Sequence, residues 1–300
     1  MNPVRKRAYI EMLIVTAIWG CAAPIIKYTL GGFSPAVFLT YRFFISSIIG
    51  ILFFIFLGIK LPKDKKTLAI TALYGFLSST ISLGLLFLGT NKTTSVDSNL
   101  ISAMSPVLTT IAGAFFLKER VTKRESIGLL IALSGVFLTI IEPIIKSNNG
   151  FIGLEGNLLV FASIMIGPIV AVLAKKVLRR GVDPKTTTSM SFIIGFVSLA
   201  PFTLPSIINS KFQVITAVPF SFHLGVLYMA ILSGTLAYIL WNKAVKSIEI
   251  GEVSVFTYLY PIFGTPLSIL WLGEKITPIY IVGVLISACG VFIAEFKKRR

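Results

Sequence analysis

The chain has 300 residues, 55% hydrophobic and only 13% charged, with a mean hydropathy of +0.89 and a formal net charge of +16. So few charges cannot cover the surface of a water-soluble domain of this size, so the composition points to an all-α integral membrane protein. The basic excess would suit a nucleic acid only if it were gathered into a patch, so its distribution decides.

Crossing a bilayer as a helix takes about 20 apolar residues. Such stretches follow one another along the chain: Tyr9–Leu30, Ala36–Leu57, Leu68–Gly89, Ser98–Leu117 and Ser126–Ile141, then Leu154–Ala174, Thr186–Ile208, Phe222–Trp241, Val253–Leu272 and Thr277–Phe296. These predict ten transmembrane helices. Arg5-Lys6-Arg7 before the first resembles a signal peptide, but the apolar run is too long for one, so it reads as a retained helix. Cys21 and Cys289 fall inside the first and tenth spans and read as small apolar packers.

With the N-terminus placed in the cytoplasm, 22 of the 28 Lys and Arg residues fall in the inside segments. The outside loops hold only Lys92, Lys146, Lys211 and Lys275. That alternation is the positive-inside pattern of ten spans with both termini cytoplasmic. The charge is topological, and no nucleic-acid partner is expected.

The second half repeats the first about 155 residues later. Without a gap, Asp97 falls on Glu252, Pro106 on Pro261, Leu117 on Leu272 and Glu119 on Glu274. Val121-Thr122 falls on Ile276-Thr277, Gly128 on Gly283 and Gly135 on Gly290. Gly32-Phe33-Ser34-Pro35 also matches Gly181-Val182-Asp183-Pro184, which sets Lys27 on Lys176. The loop containing Ser147-Asn148-Asn149-Gly150 joins the copies, giving 1–147 with helices one to five and 148–300 with helices six to ten. An odd number of spans per copy turns the second upside down, and inverted repeats are the sign of a secondary transporter.

Several residues stand out by depth. Trp19 lies near the bilayer midplane, where it reads either as a cavity wall or as packing. Arg42 lies about 9 Å into helix two, a costly place for a charge unless it faces a pathway, a gate or a partner that holds the fold. Lys27, near a span end, can snorkel. Pro106 and Pro261 predict matching kinks that free carbonyls near Ser102 and Thr257. Asn99, Ser105, Tyr258 and Tyr260 beside these kinks, and Tyr238 in helix eight, complete the candidate substrate-binding set. Trp241 reads as an interfacial anchor, and Asp97 and Glu252 as helix caps.

The run Ala17-Ile18-Trp19-Gly20 with Lys27 downstream, Tyr41-Arg42-Phe43, and the tandem Pro…Leu-x-Glu-x-[Val/Ile]-Thr…Gly…Gly-Val pattern resemble the drug/metabolite transporter superfamily, and within it the EamA family. The resemblance covers both copies. It implies a ten-helix plasma-membrane exporter of small metabolites or drugs, often amino acids or related compounds, working by alternating access.

No metal or catalytic cluster is expected from a single histidine, His223, and no Gly-rich phosphate loop or nucleophile elbow is present in the sequence. No cofactor is expected, and the partners are a small-molecule substrate and the lipid bilayer, in a monomer or homodimer. A passive channel and a membrane-embedded enzyme or partner subunit are the alternatives. Glu11, Asp97, Glu142, Glu155, Glu252 and Glu295 all lie near span ends, so proton relay through a mid-membrane carboxylate is not expected. Arg42 and Lys27, the charged groups nearest the pathway, favour solutes that carry a carboxylate.

Overall fold

A computed structural model describes residues 3–109, 123–146 and 151–295. These residues form α1 (Pro3–Thr29), α2 (Pro35–Phe56), α3 (Lys65–Lys92), α4 (95–109), α5 (Lys123–Lys146) and α6 (Phe151–Arg179). They continue with α7 (Pro184–Asn209), α8 (Phe220–Ser247), α9 (250–272) and α10 (Pro278–Glu295). No strand occurs among the described residues. The helices α1, α2, α3, α6, α7 and α8 are long and apolar enough to cross a membrane. Shorter apolar helices, Leu130–Glu142, Phe256–Leu272 and Pro278–Gly290, stand within α5, α9 and α10. The expected fourth span runs into residues 110–122, which lie outside the described set together with Leu117, Glu119, Val121 and Thr122. So does the expected junction at 147/148.

Helix starts follow from capping chemistry. Ser34 accepts from the Val37 amide (3.4 Å) and Asp183 from the Lys185 amide (2.8 Å), each followed by proline at the first helical position. For α4 the cap is Thr94, which accepts from the Asp97 amide at 3.0 Å. Asp97 is therefore not the cap but sits inside the first turn. Glu274, from the turn before α10, accepts from the Ser95 and Val96 amides at 2.9 Å each and satisfies the remaining donors.

The main helix pairs are α2 with α7, α5 with α10, α3 with α6, α1 with α8, α3 with α7 and α1 with α9, and α4 also packs on α9. At the α5–α10 crossing a Cβ on Gly135 would lie 2.5 Å from the Gly283 carbonyl oxygen, and one on Gly290 would lie 2.6 Å from that of Gly128. Only glycine permits this approach, so the glycines of the repeat motif serve contact between helices. The outward face is apolar, with Leu270 86% and Phe202 82% exposed, which suits lipid rather than water.

Two lysines tie helix ends together. Lys27 on α1 donates to the carbonyls of Thr90 (3.1 Å), Asn91 (3.1 Å) and Thr93 (2.5 Å) at the end of α3. Lys175 on α6 donates to the carbonyls of Val245 and Ile248 at the end of α8. Lys27 is thus a clamp on orphan helix carbonyls rather than a snorkelling or pathway group. The similar clamp in the second half is made by Lys175 and not by Lys176, the residue that the sequence match sets on Lys27. Gly156, early in α6, packs on Lys92 and Thr93, so α6 starts at the Lys27 end and finishes at the opposite, Lys175 end.

Candidate functional site

Five helices lose regular geometry at mid-length, and they lose it around one space. A turn at Cys21 interrupts α1, and Pro24 follows it. Helix α3 widens into a π-helix at Phe76–Ser82, and α8 does the same at Tyr228–Leu236. Helix α4 breaks at 103–104, just before Pro106, and α9 tightens to a 3-10 turn at Phe256–Leu259, just before Pro261. Each irregularity redirects backbone polar groups and side chains that a straight helix would hold elsewhere.

The space is a cavity of about 190 Å³. Trp19, Arg42, Asn99, Ser105, Tyr238 and Tyr260 all line it. Tyr258 does not: it lies in the 3-10 turn and is absent from the wall, as are Pro106 and Pro261. Ser102 and Thr257, beside the kinks, belong to the wall. So do Ser82, Ser163, Ser233 and Met229, which the sequence reading missed.

The wall is wired through the π-helices. The Trp19 indole N–H donates to the Ser233 carbonyl at 2.9 Å, and its ring meets Tyr238 edge-on at 5.0 Å. Tyr228 donates to the Ile18 carbonyl at 2.7 Å, so α1 is bound to the widened turn of α8 at two successive residues, Ile18 and Trp19. Ser46 donates to the Ala230 carbonyl at 3.1 Å. Across the cavity, Ser163 donates to the Ser82 carbonyl at 2.7 Å. The Ser82 hydroxyl approaches the Ser163 carbonyl and hydroxyl at 3.2 Å. Trp241 lies 6.4 Å from Trp19, ring to ring, so it packs behind the wall as well as sitting near a helix end.

Arg42 is fully buried. Its guanidinium carbon lies 5.6 Å from the ring centres of Phe43 and Phe87 and 5.8 Å from that of Phe192. Those contacts supply cation–π attraction but no hydrogen-bond acceptor. Nε and Nη1 have no hydrogen-bond partner among the described residues. Asn99 is also buried, and its Nδ2 has no partner either. Gly264 makes room for it, since a Cβ there would lie 1.9 Å from that nitrogen. Buried donors without acceptors are costly unless something fills them.

Aromatic layers lie toward both ends. At the Lys27 end, Tyr28 stacks between Phe222 (4.8 Å) and Trp271 (4.5 Å). Beside them His223 meets Phe33 at 5.3 Å and Tyr41 at 5.8 Å. At the other end Tyr9 of α1 meets Phe256 of α9 at 5.6 Å.

The profile of the EamA-like transporter family matches residues 6–141 and again residues 154–296. The chain belongs to this family. It is 28% identical to the uncharacterized transporter YyaM of Bacillus subtilis (strain 168), over 96% of this chain and 93% of that protein. It is 24% identical to a probable amino-acid metabolite efflux pump of Salmonella typhimurium (strain LT2), over 97% and 95% of the two chains. A solved crystal structure with 16% sequence identity matches with a TM-score of 0.70, over 99% of each chain. That last likeness concerns the fold alone. In this EamA-like chain the apolar helices make a multi-pass membrane protein, and the cavity lies inside the helix bundle.

A sequence signal for the π-helices, and through them for Ser233, does exist. Leu77-Ser78-Ser79-Thr80 and Leu232-Ser233-Gly234-Thr235 stand 155 residues apart, in the register of the repeat. Both fall within the π-helices. A polar triplet at matched depth in two apolar spans marks the widened turns.

Proposed function

We propose that this EamA-like protein is a secondary transporter that exports small organic metabolites, amino acids or related compounds among them, across the plasma membrane by alternating access. Its ten spans form two inverted five-helix repeats, 1–147 and 148–300, with both termini in the cytoplasm. The observation that carries this reading is the cavity: five interrupted helices, α1, α3, α4, α8 and α9, drawn from both repeats, meet around it. Discontinuous helices around a central site at the repeat interface are how such carriers expose polar backbone to a solute.

Three observations support the inverted repeat. Exchanging the halves maps the pairs α2–α7, α4–α9 and α5–α10 onto themselves and α3–α6 onto α8–α1. The carbonyls clamped by Lys27 and Lys175 include Thr90 with Val245 and Thr93 with Ile248, two pairs each 155 residues apart, at opposite ends of the bundle. Lysines and arginines crowd every second connection along the chain, as the alternation of sides requires. The description of the Salmonella relative as an efflux pump supports the outward direction.

The test is flux in proteoliposomes with a panel of metabolites. A carrier gives saturable uptake stimulated by the same solute on the far side. Flux that neither saturates nor responds to trans solute would make the protein a channel.

A further inference from the structure

Building on the transporter reading, we infer that the cavity selects a solute of net negative charge over a zwitterionic amino acid. The class that fits is a small monocarboxylate bearing a second oxygen acceptor, such as a 2-oxo or 2-hydroxy acid. Three observations carry this inference.

The first is charge. Arg42 is fully buried, and among the described residues its Nε and Nη1 lack acceptors and no Asp or Glu lines the cavity. A guanidinium keeps its proton in proteins, so the site holds a fixed positive charge that its own wall does not balance. A carboxylate matches the guanidinium fork in two parallel hydrogen bonds.

The second is broken symmetry. α2 and α7 begin alike at Ser34-Pro35 and Asp183-Pro184, and in that register Phe43 corresponds to Phe192. These two rings stack on each other at 5.7 Å. The same register sets Arg42 on Ser191, which is content with a hydroxyl contact to Ser79 at 2.8 Å. A charge needed to hold this helix pair would find its acceptor in the fold. Arg42 has no counterpart across the pair, and among the described residues its Nε and Nη1 have no such acceptor, so a partner for them comes from outside.

The third is the balance of donors and acceptors. Asn99 adds a second buried donor without a partner in the same wall. The carbonyls of Ser233 and Ser82 each already accept a hydrogen bond, from Trp19 and Ser163. The hydroxyls of the wall can donate or accept, so the groups that set its preference are the unpartnered nitrogens of Arg42 and Asn99, which only donate. A carboxylate on Arg42 with the adjacent oxo or hydroxyl oxygen toward Asn99 satisfies both; an adjacent ammonium would meet Asn99's donor and the field of Arg42.

The experiment holds the side chain constant: 4-methyl-2-oxopentanoate, leucine and leucinamide, each titrated calorimetrically into purified protein in nanodiscs and assayed for counterflow in proteoliposomes. The 2-oxo acid is expected to bind at least tenfold more tightly than leucine, and leucinamide not at all. Arg42→Gln is expected to lower 2-oxo acid affinity at least tenfold. Arg42→Lys, which keeps the charge without the fork, retains the preference for the anion at reduced affinity and guards against misfolding of the Gln variant. Asn99→Leu narrows the gap between the 2-oxo acid and plain 4-methylpentanoate. Equal or tighter binding of leucine, saturation of the site by chloride alone, or no carboxylate binding would overturn the inference. Binding in the predicted order without counterflow would instead sink the transporter reading and leave the charge selectivity standing. Counterflow of leucine in preference to the 2-oxo acid would do the reverse.

Discussion

Glycine 264 shows how one missing methyl can hold a site open. A Cβ there would lie 1.9 Å from Asn99 Nδ2 and 2.4 Å from the Gly20 carbonyl oxygen, both closer than atoms pack. Gly264→Ala is predicted to cost about 1–3 kcal/mol through overpacking, read as a lower melting temperature in detergent. Gly84→Ala, where nothing lies within 4 Å, is the control and should melt like the parent. The lysine clamps make a second prediction at this scale. Lys27→Met and Lys175→Met each leave helix-end carbonyls without a charged donor and should each cost about 1.5–3 kcal/mol. If either melted like the parent, that clamp would not hold the fold. Depth alone singled out Trp19 and Arg42 in the sequence, because a charge or an indole in mid-membrane has few cheap explanations. Lys27 was misread because snorkelling and carbonyl clamping look alike in one dimension. Tyr258 was named for its nearness to the Pro261 kink, and nearness does not say which way a side chain in the 3-10 turn at Phe256–Leu259 faces.

At the scale of the element, widened and broken helices account for the site. The prolines announced two interruptions, since a missing amide is visible in the sequence. The π-helices at Phe76–Ser82 and Tyr228–Leu236 contain no proline, and only the matched Ser-Ser-Thr and Ser-Gly-Thr triplets hint at them. An extra residue in a turn frees carbonyls, and Trp19 and Ser163 take up those of Ser233 and Ser82. Ser82 and Ser163 therefore couple α3 to α6. A double-mutant cycle with Ser82→Ala and Ser163→Ala should return an interaction energy on the order of 0.5–3 kcal/mol, measured from unfolding in mixed micelles. Strict additivity would mean the two hydroxyls are solvated independently. The glycines of the repeat were legible as a pattern but not as a contact, because which helix faces which is a property of the folded bundle.

For the whole molecule, the order of charges along the chain supplied an orientation before any helix was placed. The structure adds the pairing of helices across the halves and the opposite directions of α1 and α6. Single cysteines test the orientation. A thiol at Lys63 should react with an impermeant reagent only from the cytoplasm, and one at Lys211 only from outside, with the reverse pattern turning the assignment over. Alternating access needs a further property: the cavity must open to each side in turn. With Cys21 and Cys289 replaced by alanine, a reporter thiol at Ser105 samples the cavity wall. A short bifunctional maleimide joining Tyr28→Cys to Trp271→Cys then locks the aromatic layer, whose rings stack at 4.5 Å. Without the lock, the reporter is expected to label from both sides of the membrane. With the lock, labelling from outside is lost while labelling from the cytoplasm rises. Persistent labelling from outside through the lock, or loss of labelling from both sides together, would contradict alternating access around this cavity.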